Sequence, residues 1–423
     1  MFVLDDSIEF FVFDKDIVKS KIDRMKQRIF ITIHYLEIGG VERSLLGLLN
    51  ALDTDLYDID LFVYSHQGEF MRMIPEKIRL LPEISQYAAL ERPVKEIIKN
   101  GYWSIAFARL MAKWACRRYM KRSGQTEGSA IFQYVADYTT GLLPPLYRYG
   151  EYDLAISFLT PHNIVLEKVQ AKKKIAWIHT DYSAIQIDKE RELKVWERYD
   201  YIASISENVT QTFLQVFPEV KEKIILIENI LSSAFVREQA ILLDVSNEMK
   251  TSEGEVRLCS VGRFSSAKNF DNVPFICKSI VERGVRVKWF LIGFGGDEQL
   301  IRDRIAEAQM EEYVFLLGKK ENPYPYMKTC DVYIQPSRYE GKAVTVREAQ
   351  MLCKPVVITN FPTAYSQLTD GVDGVIVPFE NEACAEGIVK VIKNHELRQS
   401  LIAYLQAHDY GNEAEVEKIY QLK

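Results

Sequence analysis

Short apolar runs recur along the chain, each closed by a turn rich in glycine, proline or polar residues and followed in most cases by apolar residues at helical spacing. Read as strands, they fall at Ile29–Ile33, Ile59–Tyr64, Leu154–Phe158, Lys174–Ile178, Tyr201–Ile205 and Ile224–Ile227 in the first half. In the second half they fall at Val256–Val261, Lys288–Ile292, Val314–Leu317, Val332–Ile334, Pro355–Thr359 and Val375–Val377. Strands alternating with helices predict α/β architecture with doubly wound parallel sheets. A chain of 423 residues is too long for one ordinary domain and predicts two. The polar stretch ending in SNEMKTSEGE lacks periodicity and reads as a linker. The expected division is an N-terminal extension 1–24, a Rossmann-like domain 25–235, a linker 236–255, a second Rossmann-like domain 256–405 and a C-terminal helix 406–423, read from HDYGNEAEVEKIYQL.

Composition narrows the class. Hydrophobic residues make up 48% and charged residues 26%, which suits a globular protein with sizeable cores. No run approaches the roughly 20 apolar residues of a membrane helix. The opening segment is interrupted by Asp5, Asp6, Glu9, Asp14 and Asp16, which excludes a secretory signal. Cys116, Cys259, Cys277, Cys330, Cys353 and Cys384 show no paired spacing and read as reduced core residues of a cytoplasmic protein, with no metal expected. The acidic triplets at Asp53–Asp55 and Asp58–Asp60 precede an early strand and read as solvated loop.

A net charge of −6 argues against a nucleic-acid partner, yet Arg92 to Arg122 carries nine Lys/Arg against one acidic residue, leaving −14 for the rest. Within it Trp103, Phe107, Leu110 and Trp114 share one helical stripe. Two readings stand side by side. A helix lying in a membrane interface shows such a stripe beside basic residues, and so does a core-facing helix with a solvated basic back.

The densest chemistry lies in Asp331–Cys353, DVYIQPSRYEGKAVTVREAQMLC: a buried strand, a turn with Pro336 and Gly341, and a helix from about Val344. Glu340 sits in the turn and Glu348 two turns along the helix. Carboxylates there can take sugar hydroxyls, and a helix start favours an anionic group such as a diphosphate. Upstream, GRFSSAKNF follows a strand and offers Arg263 and Lys268 as two cations for one diphosphate. Gly293, in GFGGDE, and Gly39–Gly40, after the first strand, allow backbone to approach a ligand closely. His179 falls just past a strand end, with Asp181 nearby.

The Glu340/Glu348 pair, on a strand–turn–helix unit, resembles the E-x7-E signature of retaining glycosyltransferase family 4, of bacterial surface-polysaccharide type. The spacing of Arg263 and Lys268 is similar to that family's G-R-x4-K motif. The resemblance runs from Met25 to Leu422 and is strongest over Val261–Val377. It implies a GT-B fold, two Rossmann-like domains facing across a cleft, with the C-terminal helix returning to the first. It implies Glu340 on donor-sugar hydroxyls, Glu348 on the ribose, Arg263 and Lys268 on the diphosphate, and His179 facing the donor sugar. It also implies that Gly39 and Gly40 lie over the cleft, and that Gly293, Gly341, Lys342, Ala343, Val344 and Thr345 complete the donor site. The expected activity is retaining transfer of a hexosyl group from a UDP- or GDP-sugar to a saccharide acceptor, lipid-linked at the inner membrane face, without cofactor or metal. A GT-B nucleotide-sugar epimerase, a non-catalytic accessory subunit and an inverting transferase are the alternatives.

Overall fold

The computed structural model describes residues 26–126, 128–183, 185–340 and 343–422. The extension 1–24 and the donor-site candidates Gly341 and Lys342 therefore lie outside the described residues. The chain divides into two compact units, the first running to Glu228 and taken up again at Lys418, the second running from Asn229 to Glu417.

Unit 1 is built on a seven-stranded sheet of order β3-β2-β1-β4-β5-β6-β7, with β1 Gln27–Ile33, β2 Tyr57–Val63, β3 Arg79–Leu80, β4 Tyr152–Ser157, β5 Ala171–Ile178, β6 Tyr201–Ser204 and β7 Ile224–Leu226. All pairings are parallel. The inner strands are apolar on both faces, as expected of a sheet covered on both sides: Phe30, Ile31, Leu61, Phe62, Ala155 and Ile156 are fully buried. Helices α1 Gly40–Ala51, α2 Trp103–Ser123 and α3 Ile131–Thr139 belong to this unit.

Unit 2 carries a six-stranded parallel sheet of order β10-β9-β8-β11-β12-β13. Its strands are β8 Val256–Val261, β9 Val287–Ile292, β10 Val314–Gly318, β11 Val332–Gln335, β12 Val356–Thr359 and β13 Val375–Val377. Its helices include α4 Ser233–Gln239 and α5 Val344–Met351. Both sheets reverse their order once, between β1 and β4 and between β8 and β11. Adjacent loops leave such a reversal in opposite directions and open a crevice at the strands' carboxyl ends, the usual ligand position in open α/β sheets.

The predicted strands are all present, within a few residues at their ends. Four expectations change. Strand β3 went unpredicted, being two exposed residues at the sheet edge. The stretch 236–255 is packed into unit 2, not strung out as a linker: Val236, Ala240, Val245 and Met249 are buried, and the Met249 carbonyl accepts from Arg257 Nε at 3.1 Å. Sparse apolar anchors hold a segment whose polar majority masks them. The tail is no continuous helix but a 3-10 turn at Glu413–Val416 and one helical turn at Glu417–Tyr420. Upstream, the Asn412 side chain accepts from the Leu231 amide and donates to the Asn229 carbonyl, and side chains that bind backbone in this way compete with helix. Asp60 is no solvated loop residue, because β2 begins at Tyr57 and takes it in. It is 2% exposed and accepts from Arg79 Nε at 2.5 Å and Tyr152 at 2.6 Å.

The six cysteines are unpaired, five of them buried. Among the described residues, no helix is long and apolar enough to cross a membrane.

Candidate functional site

At the unit 2 reversal, the loops after β8 and β11 meet. Lys268, in the 3-10 turn Ser266–Lys268, reaches across and donates to Glu340 Oε1 at 2.5 Å. The same oxygen accepts from Ser337 Oγ at 2.6 Å and from Gln335 Nε2 at 3.2 Å. Gln335, fully buried at the end of β11, accepts on its own oxygen from Tyr333 at 2.8 Å and Thr345 Oγ1 at 3.1 Å. Five side chains from one strand, its loop, the loop after β8 and the next helix therefore fix one carboxylate. The backbone around it is held too: Thr363 Oγ1 donates to the Glu340 carbonyl at 2.7 Å. Arg338 makes two 2.8 Å bonds to Asp271 and one of 2.6 Å to the Ser266 carbonyl, tying both loops together.

The ion pair is partly buried, the side chains being 20% and 9% exposed. A charge pair there interacts more strongly than on the surface, and removing one partner leaves the other uncompensated. Arg263 is exposed, so the two cations expected on one diphosphate differ: one is engaged by Glu340, the other faces solvent. Gly293 follows β9 at φ 153°, and a Cβ there would sit 1.8 Å from the Gly262 carbonyl oxygen. Only glycine lets the loops after β8 and β9 approach so closely.

Helix α5 starts beside this network. Its N-cap, Ala343, makes no side-chain cap, and its first turn holds no acidic residue. The Ala343 amide is bound by Gln367 Oε1 at 2.8 Å. The amides of Val344 and Thr345 come next, in the position where a helix start binds an anion. Glu348 is fully buried, one carboxylate oxygen accepting from Tyr324 at 2.8 Å.

In unit 1, Gly39 caps α1 and its carbonyl accepts from the Arg43 amide. A Cβ at Gly40 would meet no atom of the described residues within 4 Å beyond its chain neighbours and its own helix backbone, so tertiary packing does not demand that glycine. His179 follows β5, with Phe158 and Trp177 rings at 4.6 and 6.2 Å. Burial pushes its imidazole down to about 3, so it is neutral near pH 7. His162, after β4, shares a hydrogen bond of 2.8 Å with Ser157 Oγ. Burial, with His34 and His179 adding to it, also brings His162 to about 3. His34, after β1, pairs with Glu91 at 3.0 Å. The Nε2 atoms of His34, His66, His162 and His179 are all buried without a partner among the described residues. Asp181 turns to Ser183, accepting from its hydroxyl at 2.7 Å, not to His179.

Sequence reasoning missed Gln335, Ser337, Tyr324, His34 and His162. A polar residue closing a buried strand, as in VYIQ, was the available signal for Gln335.

Residues 245–408 match the family described as "Glycosyl transferases group 1". The amylovoran biosynthesis glycosyltransferase AmsD of Erwinia amylovora is 24% identical over 165 residues, 38% of this chain and 46% of that protein. A second relative is the N-acetylgalactosamine-N,N'-diacetylbacillosaminyl-diphospho-undecaprenol 4-alpha-N-acetylgalactosaminyltransferase of Campylobacter jejuni. It is 27% identical over 145 residues, 34% of this chain and 39% of that protein. The chain thus spans less than half the length of these curated relatives. Among solved structures, Anabaena HepE in complex with UDP and glucose aligns with a TM-score of 0.60 at 15% identity, over 94% of this chain and all of that one. That likeness shows the fold: two Rossmann-like parallel-sheet halves, as in the GT-B glycosyltransferases.

Proposed function

We propose that the protein is a retaining glycosyltransferase that moves a hexosyl group from a UDP- or GDP-sugar to a saccharide acceptor in bacterial polysaccharide synthesis. The observation that carries this reading is the Lys268–Glu340 pair at the unit 2 reversal, beside an acid-free helix start. An anion-binding helix end and a fixed carboxylate, in the segment that matches glycosyl transferases, suit a diphosphate and a sugar respectively.

In this reading the C1–O bond to the diphosphate breaks and negative charge grows on the leaving oxygen. Lys268, Arg263 and the α5 start, with Gly341 and Lys342 before it in sequence, stabilise that charge without a metal. Preorganised positive groups are the efficient means of doing so. Glu340 holds hydroxyls of the transferred sugar. The buried Glu348 takes the ribose, sharing it with Tyr324. The acceptor oxygen bonds C1 on the face the diphosphate leaves, and its proton passes to the leaving phosphate oxygen. Gly39, Gly40 and His179 serve the sugar and acceptor, neutral His179 offering an Nε2 that no group among the described residues uses. The Campylobacter relative's name, with its diphospho-undecaprenol, supports a lipid-linked acceptor and with it a peripheral position at the inner membrane face.

The test is nucleoside diphosphate release from a panel of UDP-, GDP- and ADP-sugars, by the full chain and by Glu340→Ala and Lys268→Ala. Slow hydrolysis of one donor, lost in both variants, is expected. Turnover of none, even with lipid extract added, refutes the reading. Recovery of a rearranged free nucleotide sugar, with no dependence on acceptor, favours the epimerase, and inverted configuration in the product refutes retention.

A further inference from the structure

Helix α2 has two apolar faces, and among the described residues only one is covered. Ile105, Ala106, Ala108, Ala112 and Cys116 are buried, and Ala112 and Cys116 pack with Ala130 and Tyr134. Arg109 Nη1 donates to the Ala89 and Arg92 carbonyls, and Tyr119 donates to the Ile187 carbonyl. The helix is thus seated on unit 1 in one rotation. On its opposite side Trp103 is 65% exposed, Phe107 66%, Leu110 51% and Trp114 56%. At 3.6 residues per turn these four lie in a stripe about 60° wide, and Arg117, Arg118 and Lys121 continue the same stripe.

We propose that this outer face of α2 is a docking surface for an anionic phospholipid bilayer. The stripe that sequence alone left open between core and interface is solvent-facing, while the helix's core contacts are made by other residues. Two tryptophans and a phenylalanine standing side by side on one helix face exceed the scattered exposure ordinary for a soluble surface. The helix holds six Lys/Arg and no acidic residue, so its charge complements anionic headgroups and opposes a second copy of itself. A helix lying in the interfacial plane, apolar face inward and cations at the headgroups, satisfies both features together. The inference deepens the lipid-linked acceptor of the reading above, yet rests on α2 alone and is measured without any transfer reaction.

The chain's tryptophans make the test direct. Five are present, and Trp177, Trp196 and Trp289 are buried at 2%, 2% and 0% exposure, leaving Trp103 and Trp114 as the exposed pair. The full chain is mixed with vesicles of phosphatidylcholine alone, or with added phosphatidylglycerol, and binding is read by co-sedimentation and by fluorescence quenching from brominated acyl chains. Expected are binding at least about tenfold stronger to the anionic vesicles, weakened by salt, and quenching that disappears in Trp103→Ser/Trp114→Ser. Arg117→Gln/Arg118→Gln/Lys121→Gln loses the preference for anionic lipid and keeps the residual quenching. These residues are exposed, so both variants should melt with the parent, and both should still release nucleoside diphosphate from a donor in lipid-free solution. No binding to either vesicle overturns the proposal, as does binding that both variants leave intact. Self-association without lipid that Trp103→Ser/Trp114→Ser abolishes makes the face a contact between copies instead.

Discussion

The two units share one architecture, a parallel sheet reversing its order once, but fill the two crevices with opposite chemistry. Unit 2 packs its reversal with a satisfied charged network, in which Glu340 Oε1 receives Lys268, Ser337 and Gln335 together. Unit 1 lines its strand ends with four imidazoles, each keeping a buried Nε2 without a partner among the described residues. A saturated network holds geometry rigidly and suits a group whose charge changes during reaction. Buried nitrogens without partners are costly to keep, and a ligand hydroxyl is one way to satisfy them. The fold supplies the place, and side chains at equivalent places decide what it can do.

The sharpest way to break the contrast is to remove one group from each side. Lys268→Ala should lower kcat by about 10²–10³, the scale of losing one donor to developing negative charge. His179→Asn should cost about tenfold or less, mainly in KM, because a neutral ring contributes binding more than charge stabilisation. Steady-state kinetics with the donor found by the release assay would check both, and equal losses would erase the distinction.

Within unit 2, Gln335→Leu tests whether the network acts as one. It leaves the Tyr333 hydroxyl and Thr345 without their acceptor, at about 1–3 kcal/mol of stability by urea unfolding. It should also cut kcat about tenfold with KM little changed, and Gln335→Glu should not rescue it, since a second carboxylate beside Glu340 repels.

Unit 1 should show itself in acid. Burial holds His162 and His179 at about 3 in the fold, while in the unfolded chain they take up protons as pH falls below about 6.5. The unfolded state binds more protons across that window, so stability falls on acidification, by about 1.4 kcal/mol per pH unit for each histidine. Glu192, pushed up to about 7 by burial, works the other way between about 7 and its unfolded value, and so delays the loss. The steep limb therefore lies below about pH 4.5. His162→Asn should flatten it by about 1.4 kcal/mol per pH unit, read from denaturant unfolding at a series of pH values. An unchanged slope would mean the ring is not held neutral.

The strands and the place of the reactive loops were legible in sequence because parallel strands buried on both faces write unbroken apolar runs, and glycines such as Gly293 stand where no Cβ fits. Lys268 and Glu340, 72 residues apart, were each visible as chemistry, but their pairing was not, since it depends on β8 and β11 being neighbours. The same holds for His34 and His162, brought near each other by the β1–β4 pairing. Asp60 and the segment 236–255 misled for a related reason: local polarity says nothing about Arg28 and Arg79 arriving from elsewhere, or about a few apolar anchors finding a core. For α2, sequence determined that an apolar stripe and a basic face existed. Only packing decided which stripe was covered, because burial depends on what lies opposite a helix, and a periodic pattern names the face without naming its partner.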